Sequence, residues 1–242
     1  MPEEGAPVRS ALVTGASRGI GLAITRQLTE LGIAVTAIAR DLDALRDAVA
    51  GFAPRVHPVR ADVTREEDVV AAVRAHRERF GRLDVLVNNA GLGPRVAIEE
   101  ISTKTLDLVL SINLRAVALT YRECLPLLLA GAARSGGALV VNVASIAGRQ
   151  GIGGMTAYSA AKHGVAGFTS AANAEVAARG VRSCAIFPAY VDTPGAAGVH
   201  DEIPPASMLA PQDVAEAVRF LLQVSPACAV TDIVMEQSAR LS

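Results

Sequence analysis

Val8-Arg9-Ser10-Ala11-Leu12-Val13-Thr14-Gly15-Ala16-Ser17-Arg18-Gly19-Ile20-Gly21 reads as a short apolar strand that breaks into a glycine-rich turn and re-emerges as a helix. Glycines in such a turn let backbone amides approach a pyrophosphate at the helix N-terminus, and Gly21 lets the helix pack close to the sheet. The spacing is neither G-x-G-x-x-G nor the phosphate loop G-x-x-x-x-G-K-S/T. Taken alone, the turn is equally well read as a plain strand-to-helix connection.

The same alternation continues outward from it. Strands are expected at Val8 to Thr14, Ala34 to Ala39, Val56 to Arg60, Val85 to Asn88, Ala138 to Ala144, Val181 to Phe187 and Val230 to Met235. Helices are expected between them: Gly19 to Leu31, Asp41 to Val49 with Asp41 as its cap, and a third opened by a capping box at Thr64-Arg-Glu-Glu67 and ending near Phe80. A long helix capped by Ser102 or Thr103 reaches about Leu129, another carries residues 155 to 179, and Pro211 opens a last one to Val224. Apolar strands without polar alternation imply a parallel sheet covered on both faces, hence a doubly wound α/β fold. No linker or repeat interrupts the pattern, so one domain is expected over 8–242 behind a loose tail of residues 1–7.

Composition narrows the function classes. With 242 residues, 51% hydrophobic, and a formal net charge of −1, the chain carries no basic stripe suited to nucleic acid. Cys124, Cys184 and Cys228 are odd in number and lack metal-ligand spacing, so no metal site is expected and a reduced, cytoplasmic setting is. The start has no basic and apolar leader pattern, and no later run reads as a membrane span.

Tyr158-Ser-Ala-Ala-Lys162 carries the chemistry. Four residues apart on a helix, phenol and ammonium share a face, which would favour the ionised phenol and let it exchange protons near neutrality. With three Tyr and two Lys in the chain, such a pair arises by coincidence roughly once in forty. Of the 23 basic residues only Lys104 and Lys162 are Lys, so a chain that otherwise uses Arg keeps a compact, tunable ammonium here.

Four motifs in order, Thr14-Gly-x-x-x-Gly19-Ile-Gly21, Asn88-Asn89-Ala90-Gly91, Ser145 and Tyr158-x-x-x-Lys162, resemble the short-chain dehydrogenase/reductases, over essentially Ala6 to Met235. The general likeness is greatest to the 3-oxoacyl-[acyl-carrier-protein] reductases. The resemblance implies a Rossmann fold of seven parallel strands in the order 3-2-1-4-5-6-7, with a nicotinamide cofactor across the strand ends. It also implies a catalytic set in which Tyr158 exchanges the substrate proton, Lys162 lowers its pKa and holds the ribose, Ser145 orients the carbonyl, and Asn113 holds a relay water. On the cofactor side it implies Gly15, Ser17, Arg18, Gly19, Ile20 and Gly21 at the turn, with Asp62 and Val63 beside the adenine. Asn88, Asn89, Ala90 and Gly91 fall on the adenosine and ribose side, and Pro188, Val191 and Thr193 beside the carboxamide. Ala189 departs from the pattern, since many members have Gly there, and Thr231 to Gln237 lacks the family's C-terminal glycines, which puts a tetramer in doubt.

Two further expectations concern specificity and assembly. Where relatives that prefer NAD place an acid after the second strand, this chain has Ala39 and then Arg40. Arg40 with Arg18 can clamp a 2'-phosphate, so NADP(H) is expected, with Asp41 assigned to the helix cap. The helix of residues 155–179 is apolar almost all round, through Ala157, Ala160, Ala161, Val165, Ala166, Phe168, Ala171, Ala172 and Ala174, so a partner subunit should cover its outer face in at least a dimer. His57, His76, His163 and His200 read as structural or surface residues, and Arg74, Arg77, Arg79 and Arg82 as a solvated helix face. Arg95, Arg149 and Gln150 are candidates for the substrate mouth. The activity implied is interconversion of a ketone, or a 3-oxoacyl thioester, and a secondary alcohol; the alternative is a dinucleotide-binding regulator without turnover.

Overall fold

In the computed structural model, which describes residues 9–52 and 55–238, seven strands form one sheet in the order β3-β2-β1-β4-β5-β6-β7. These are β1 (Ser10–Thr14), β2 (Ala34–Ala39), β3 (Val56–Arg60), β4 (Val85–Asn88), β5 (Ala138–Val143), β6 (Val181–Pro188) and β7 (Asp232–Met235). Every neighbouring pair is parallel. The fold is the expected Rossmann arrangement; the tail of residues 1–7, and Val8 of the first strand, lie outside the described residues.

Parallel pairing demands crossovers, and the apolar strands supply a core on both faces. Val13, Val35, Val87 and Val141 face α1 (Gly19–Glu30), α2 (Leu42–Val49) and α7 (Pro211–Gln223), through residues such as Leu28, Leu45 and Val218. Leu12, Leu86 and Val140 face the opposite way, against α3 (Glu66–Phe80), α5 (Ala116–Ser135) and α6 (Thr156–Val176), through Val73, Leu128 and Val176. Successive strand side chains point to opposite faces, which is why one strand feeds both clusters.

Several local readings change. Asp41 caps α2 as expected, its carboxylate accepting from the amides of Asp43 and Ala44 at 3.1 Å each, and Ser102 caps α4 (Thr103–Leu110) by accepting from Thr105 N at 3.1 Å. The capping box at Thr64 does not form. Thr64 instead donates its hydroxyl to Asp62 Oδ1 at 2.7 Å, and α3 starts after Arg65 with three acids, Glu66, Glu67 and Asp68, in its first turn. Those charges stabilise the positive end of the helix without a side-chain cap. The long helix runs from Thr103 to Ser135 without a break, but a π-helical segment, Ser111–Arg115, marks off α4 from α5 within it.

The run Thr103–Ser135 is long and apolar enough to cross a membrane, contrary to the sequence reading. In this fold 56% of its most apolar window is buried within the protein, where Leu119, Leu127 and Leu128 pack on the sheet.

Arg82 also departs from expectation. Arg74, Arg77 and Arg79 are exposed, but the Arg82 side chain is only 3% exposed and its Nε lies 3.2 Å from Asp84 Oδ2, itself fully buried. Asp84 further accepts from Ser10 N at 2.8 Å and from the Ser135 hydroxyl at 2.6 Å. Beside this pair sits His76, also fully buried, with Nδ1 2.8 Å from the Thr36 hydroxyl and Nε2 2.9 Å from the carbonyl of Arg82. A carbonyl can only accept, so Nε2 carries the proton and Nδ1 accepts from Thr36.

Candidate active site

The C-terminal ends of the strands border a cavity of about 390 Å³. Parallel strands place their loops on this one edge, the usual ligand crevice of a doubly wound sheet. At the turn, Gly15, Ser17, Arg18, Gly19 and Ile20 line it; Arg40 and Val63 follow after β2 and β3, and Asn89, Ala90 and Gly91 after β4. Ser145, Tyr158 and Lys162 form the wall next to β5 and α6, and Pro188, Val191 and Thr193 the wall beyond β6. Gly21, Asp62, Asn88 and Asn113 are not among the lining residues.

The turn is built to keep backbone accessible. Gly15 has φ +67°, and a Cβ there would come within 2.9 Å of Asn89 Nδ2 and 3.0 Å of Ala90 Cα. Gly21 acts inside the fold: its Cβ would lie 2.2 Å from the carbonyl oxygen of Gly15, so only glycine lets α1 start beneath the turn. Arg18 at the N-cap makes no side-chain cap bond, which leaves the first amides of α1 for a ligand. Thr14 and Asn89 brace the turn from below. The Thr14 hydroxyl accepts from the amides of Asn89 and Ala90 at 3.0 and 3.1 Å, and Asn89 Nδ2 donates to the carbonyls of Thr14 and Gly15 at 3.0 and 3.2 Å. Asn88 turns into the sheet instead, donating to Asn142 Oδ1 at 2.8 Å, so it does not border the ligand space as the motif implied.

At the far end of the cleft stand Arg18, Ala39 and Arg40, with both arginines exposed. Asp62 lies between the lining residues Ala61 and Val63, its Oδ1 engaged by Thr64 N at 3.0 Å as well as by the Thr64 hydroxyl. Burial pushes its pKa up, but the two Thr64 hydrogen bonds and the Arg40 and Arg65 charges prevail, holding the carboxyl below its usual range. These features fit a dinucleotide with its pyrophosphate at the uncapped helix start and its adenosine half toward the two arginines.

At the other end, Ser145 leaves β5 in an extended conformation and its hydroxyl accepts from Ala147 N at 3.2 Å. The pKa of Tyr158 is raised, because burial of the phenol outweighs the lowering by the Ser145 hydroxyl beside it. The depression expected from Lys162 is thus absent from this geometry. Lys162 is itself 4% exposed, donates from Nζ to the carbonyl of Val143 at 2.8 Å, and is lowered by burial to about 8. The half-buried phenol and the buried ammonium are each desolvated, and at this separation their interaction does not overcome that cost.

Asn113 sits in the π-helical segment, fully buried. Its amide nitrogen donates to the carbonyls of Leu92 and Val109 at 2.8 and 2.9 Å, and its oxygen accepts from Leu92 N at 3.3 Å. The side chain holds the loop after β4, next to Gly91, with both amide hydrogens and one lone pair of its oxygen engaged.

The substrate end contains residues that the motifs did not reveal. Gly93 runs against the Tyr158 ring, with a Cβ there 3.2 Å from two ring carbons, and Ile152, Met155, Tyr190 and Val199 add apolar wall. The glycine in Gly91-Leu-Gly93 was the only signal, and its meaning depends on a ring 65 positions on. Arg95 does line the mouth, while Arg149 pairs with Asp232 at 2.9 Å and is not among the lining residues. Ala189 lines the cleft too, and its amide continues the sheet by donating to the carbonyl of Met235 at 2.8 Å, so the loop keeps its path without glycine.

Comparison with known proteins agrees with this geometry. The short chain dehydrogenase family profile matches residues 9–203. A cis-4-hydroxycyclohexanecarboxylate dehydrogenase from Sinomonas cyclohexanicum is 38% identical over 224 residues, 88% of each chain. Among solved structures, the 3-ketoacyl-(acyl-carrier-protein) reductase from Brucella melitensis, complexed with NADH, has a TM-score of 0.86 at 29% identity and covers 93% of this chain and 96% of its own. The actinorhodin polyketide ketoreductase with NADPH also has a TM-score of 0.86, at 32% identity, over 94% and 95% of the two chains. With its seven-stranded parallel sheet, its glycine-lined cleft and these relatives, the chain belongs to the short chain dehydrogenase family of oxidoreductases.

Proposed function

We propose that the protein interconverts a ketone and a secondary alcohol with NADP(H), using Tyr158 as general acid and base. The observation that carries this reading is the convergence of Ser145, Tyr158 and Lys162 on one wall of the cleft whose far end is the uncapped glycine turn. When bound, the nicotinamide supplies hydride to the carbonyl carbon. Ser145 holds the carbonyl oxygen, and Tyr158 gives it a proton as alkoxide charge develops. The raised pKa of Tyr158 keeps the proton available for reduction. Lys162, with a pKa of about 8, is mostly an ammonium at neutral pH and offsets the phenolate left behind.

Arg18 and Arg40 at the adenosine end, with Ala39 where an acid would bind a ribose hydroxyl, support NADP(H) over NAD(H). The cis-4-hydroxycyclohexanecarboxylate dehydrogenase and the two ketoacyl-type reductases support a carbonyl or alcohol substrate on a ring or an acyl chain. Asn113, which holds the loop beside Lys162, completes the set and favours a working enzyme over a dinucleotide-binding regulator. A homodimer through α4, α5 and α6 belongs to the same proposal. The test is a panel of cyclic ketones and 3-oxoacyl thioesters followed by NADPH absorbance. Turnover that Tyr158→Phe abolishes is expected; NADPH binding without oxidation across the panel would favour the regulator.

A further inference from the structure

Three loops meet at the substrate mouth through one side chain. Arg95 donates from Nη1 to both carboxylate oxygens of Glu202, at 2.9 and 2.7 Å, and from Nη2 to the hydroxyl of Tyr190 at 2.9 Å. Its backbone is fixed on both sides: Gly93 lies against Tyr158, and Val96 N donates to the carbonyl of Gly154 at 2.8 Å. Two residues span at most about 7 Å of chain, so Arg95 starts within a small molecule's length of the candidate proton donor.

Among the described residues, those lining the cleft include Arg18, Arg40, Arg95 and Lys162 and no carboxylate. Arg18 and Arg40 belong to the adenosine end, and Lys162 is buried beside Tyr158. Arg95 is therefore the cation of the substrate end, set against the apolar wall of Ile152, Met155 and Val199. Glu202 takes only one nitrogen of its guanidinium. The Nε–H and one Nη2–H have no partner among the described residues, which leaves two donors that a second carboxylate can use. The existing pair is half in water, with side chains 38% and 58% exposed, and pairs of that kind hold weakly and exchange readily.

We infer that Arg95, with the Tyr190 hydroxyl beside it, selects a carbonyl or alcohol substrate that carries its own carboxylate, and that Glu202 on Nη1 offsets part of the charge that this carboxylate meets. This rests on the proposed oxidoreductase reading for the identity of the reacting group, but not for the anion site itself. The carboxylate sits at the mouth and the apolar body of the molecule along the wall, which directs the reacting carbon toward Tyr158.

The test titrates the cofactor-loaded enzyme with cyclohexanecarboxylate and with neutral cyclohexanecarboxamide, in a calorimeter. The wild type should bind the carboxylate at least about ten-fold more tightly, as expected for a charge-assisted hydrogen-bonded pair. Arg95→Gln should erase that preference, Arg95→Lys should keep part of it, and Glu202→Gln should increase it. NADPH affinity measured on each variant shows that it is folded. No preference in the wild type, or equal losses for both probes in Arg95→Gln and Glu202→Gln, would overturn the inference and leave Arg95–Glu202 as a loop fastening. Reduction of 4-oxocyclohexanecarboxylate and of cyclohexanone separates the two readings. If cyclohexanone is reduced and the acid gains nothing from Arg95, the anion site fails alone; if neither is reduced while the carboxylate still binds through Arg95, the enzymatic reading fails alone.

Discussion

The ammonium of Lys162 lies 5.6 Å from the centroid of the Tyr158 ring and is held there by the carbonyl of Val143, 2.8 Å from Nζ. The pair meets face to charge, a cation over a ring, and the ammonium sits in a pocket bounded by Gly91, where a Cβ would lie 3.6 Å from Nζ. There is room for a compact ammonium that can turn from Val143 toward a bound ribose. A planar guanidinium is wider and spreads its charge.

Lys162→Arg should therefore lower turnover by at least about two orders of magnitude, the scale of a misplaced acid-base group. Tyr158→Phe should cost at least as much while NADPH affinity stays close to wild type. Both lesions strike one proton transfer, so the double variant should fall well short of the summed losses in steady-state kcat. Near wild-type turnover in Lys162→Arg would remove this pair from the chemistry.

Cofactor preference should follow the two arginines at the adenosine end. Replacing Ala39→Asp together with Arg40→Leu should move the ratio of kcat/KM for NADPH and NADH toward NADH by at least about ten-fold, since a charge-assisted contact is lost and an acceptor for the ribose hydroxyl gained. Equal efficiency of the wild type with both cofactors would contradict the assignment.

His76 should make the fold acid-sensitive well away from the cleft. Burial lowers its pKa from 6.5 to about 4. Between those values the unfolded chain binds the proton and the folded chain does not, so the contribution is complete above pH 6.5 and is lost as pH falls through 4. At about 1.4 kcal/mol per unit, the loss is on the order of 3 kcal/mol. Urea unfolding at several pH values should show this slope, and His76→Gln, which keeps a donor for the Arg82 carbonyl, should flatten it.

Asp84→Ala takes the carboxylate from beside buried Arg82 and deprives Ser10 N and the Ser135 hydroxyl of their acceptor. Breaking a buried pair in this way costs about 3–5 kcal/mol. The urea midpoint should fall accordingly, whereas Glu78→Ala, whose partner Arg74 is 70% exposed, should change it little.

Assembly should depend on the outer face of α6. Ala160, Gly167, Ala171 and Ala174 are exposed there, and Leu106 and Leu108 of α4 are 37% and 46% exposed. The small residues of α6 form a face that another helix can approach closely. Light scattering should give a dimer, and Gly167→Arg, at a position with open space around it, should give a monomer with an unaltered fold.

Short-range pattern determined most of the architecture. Apolar runs of strand length, glycines at the first turn and a tyrosine four residues before a lysine are each properties of a few neighbouring residues. The glycine cradle and the shared face of Tyr158 and Lys162 follow from such local rules, whereas the strand order was implied by the family resemblance of the four motifs together. Tertiary structure decided what depends on surroundings. Arg82 looked like one more solvated charge until the fold set it against Asp84 and the Ser10 strand, and Thr64 looked like a cap until Asp62 claimed its hydroxyl. Asn113 and Arg95 are legible as an amide and a cation, but their tasks are set by Leu92, 21 positions away, and Glu202, 107 positions away. The direction of the Tyr158 shift belongs to the same class. Sequence places a positive charge four residues off, but desolvation is a property of everything packed around the phenol, and here it is the larger effect.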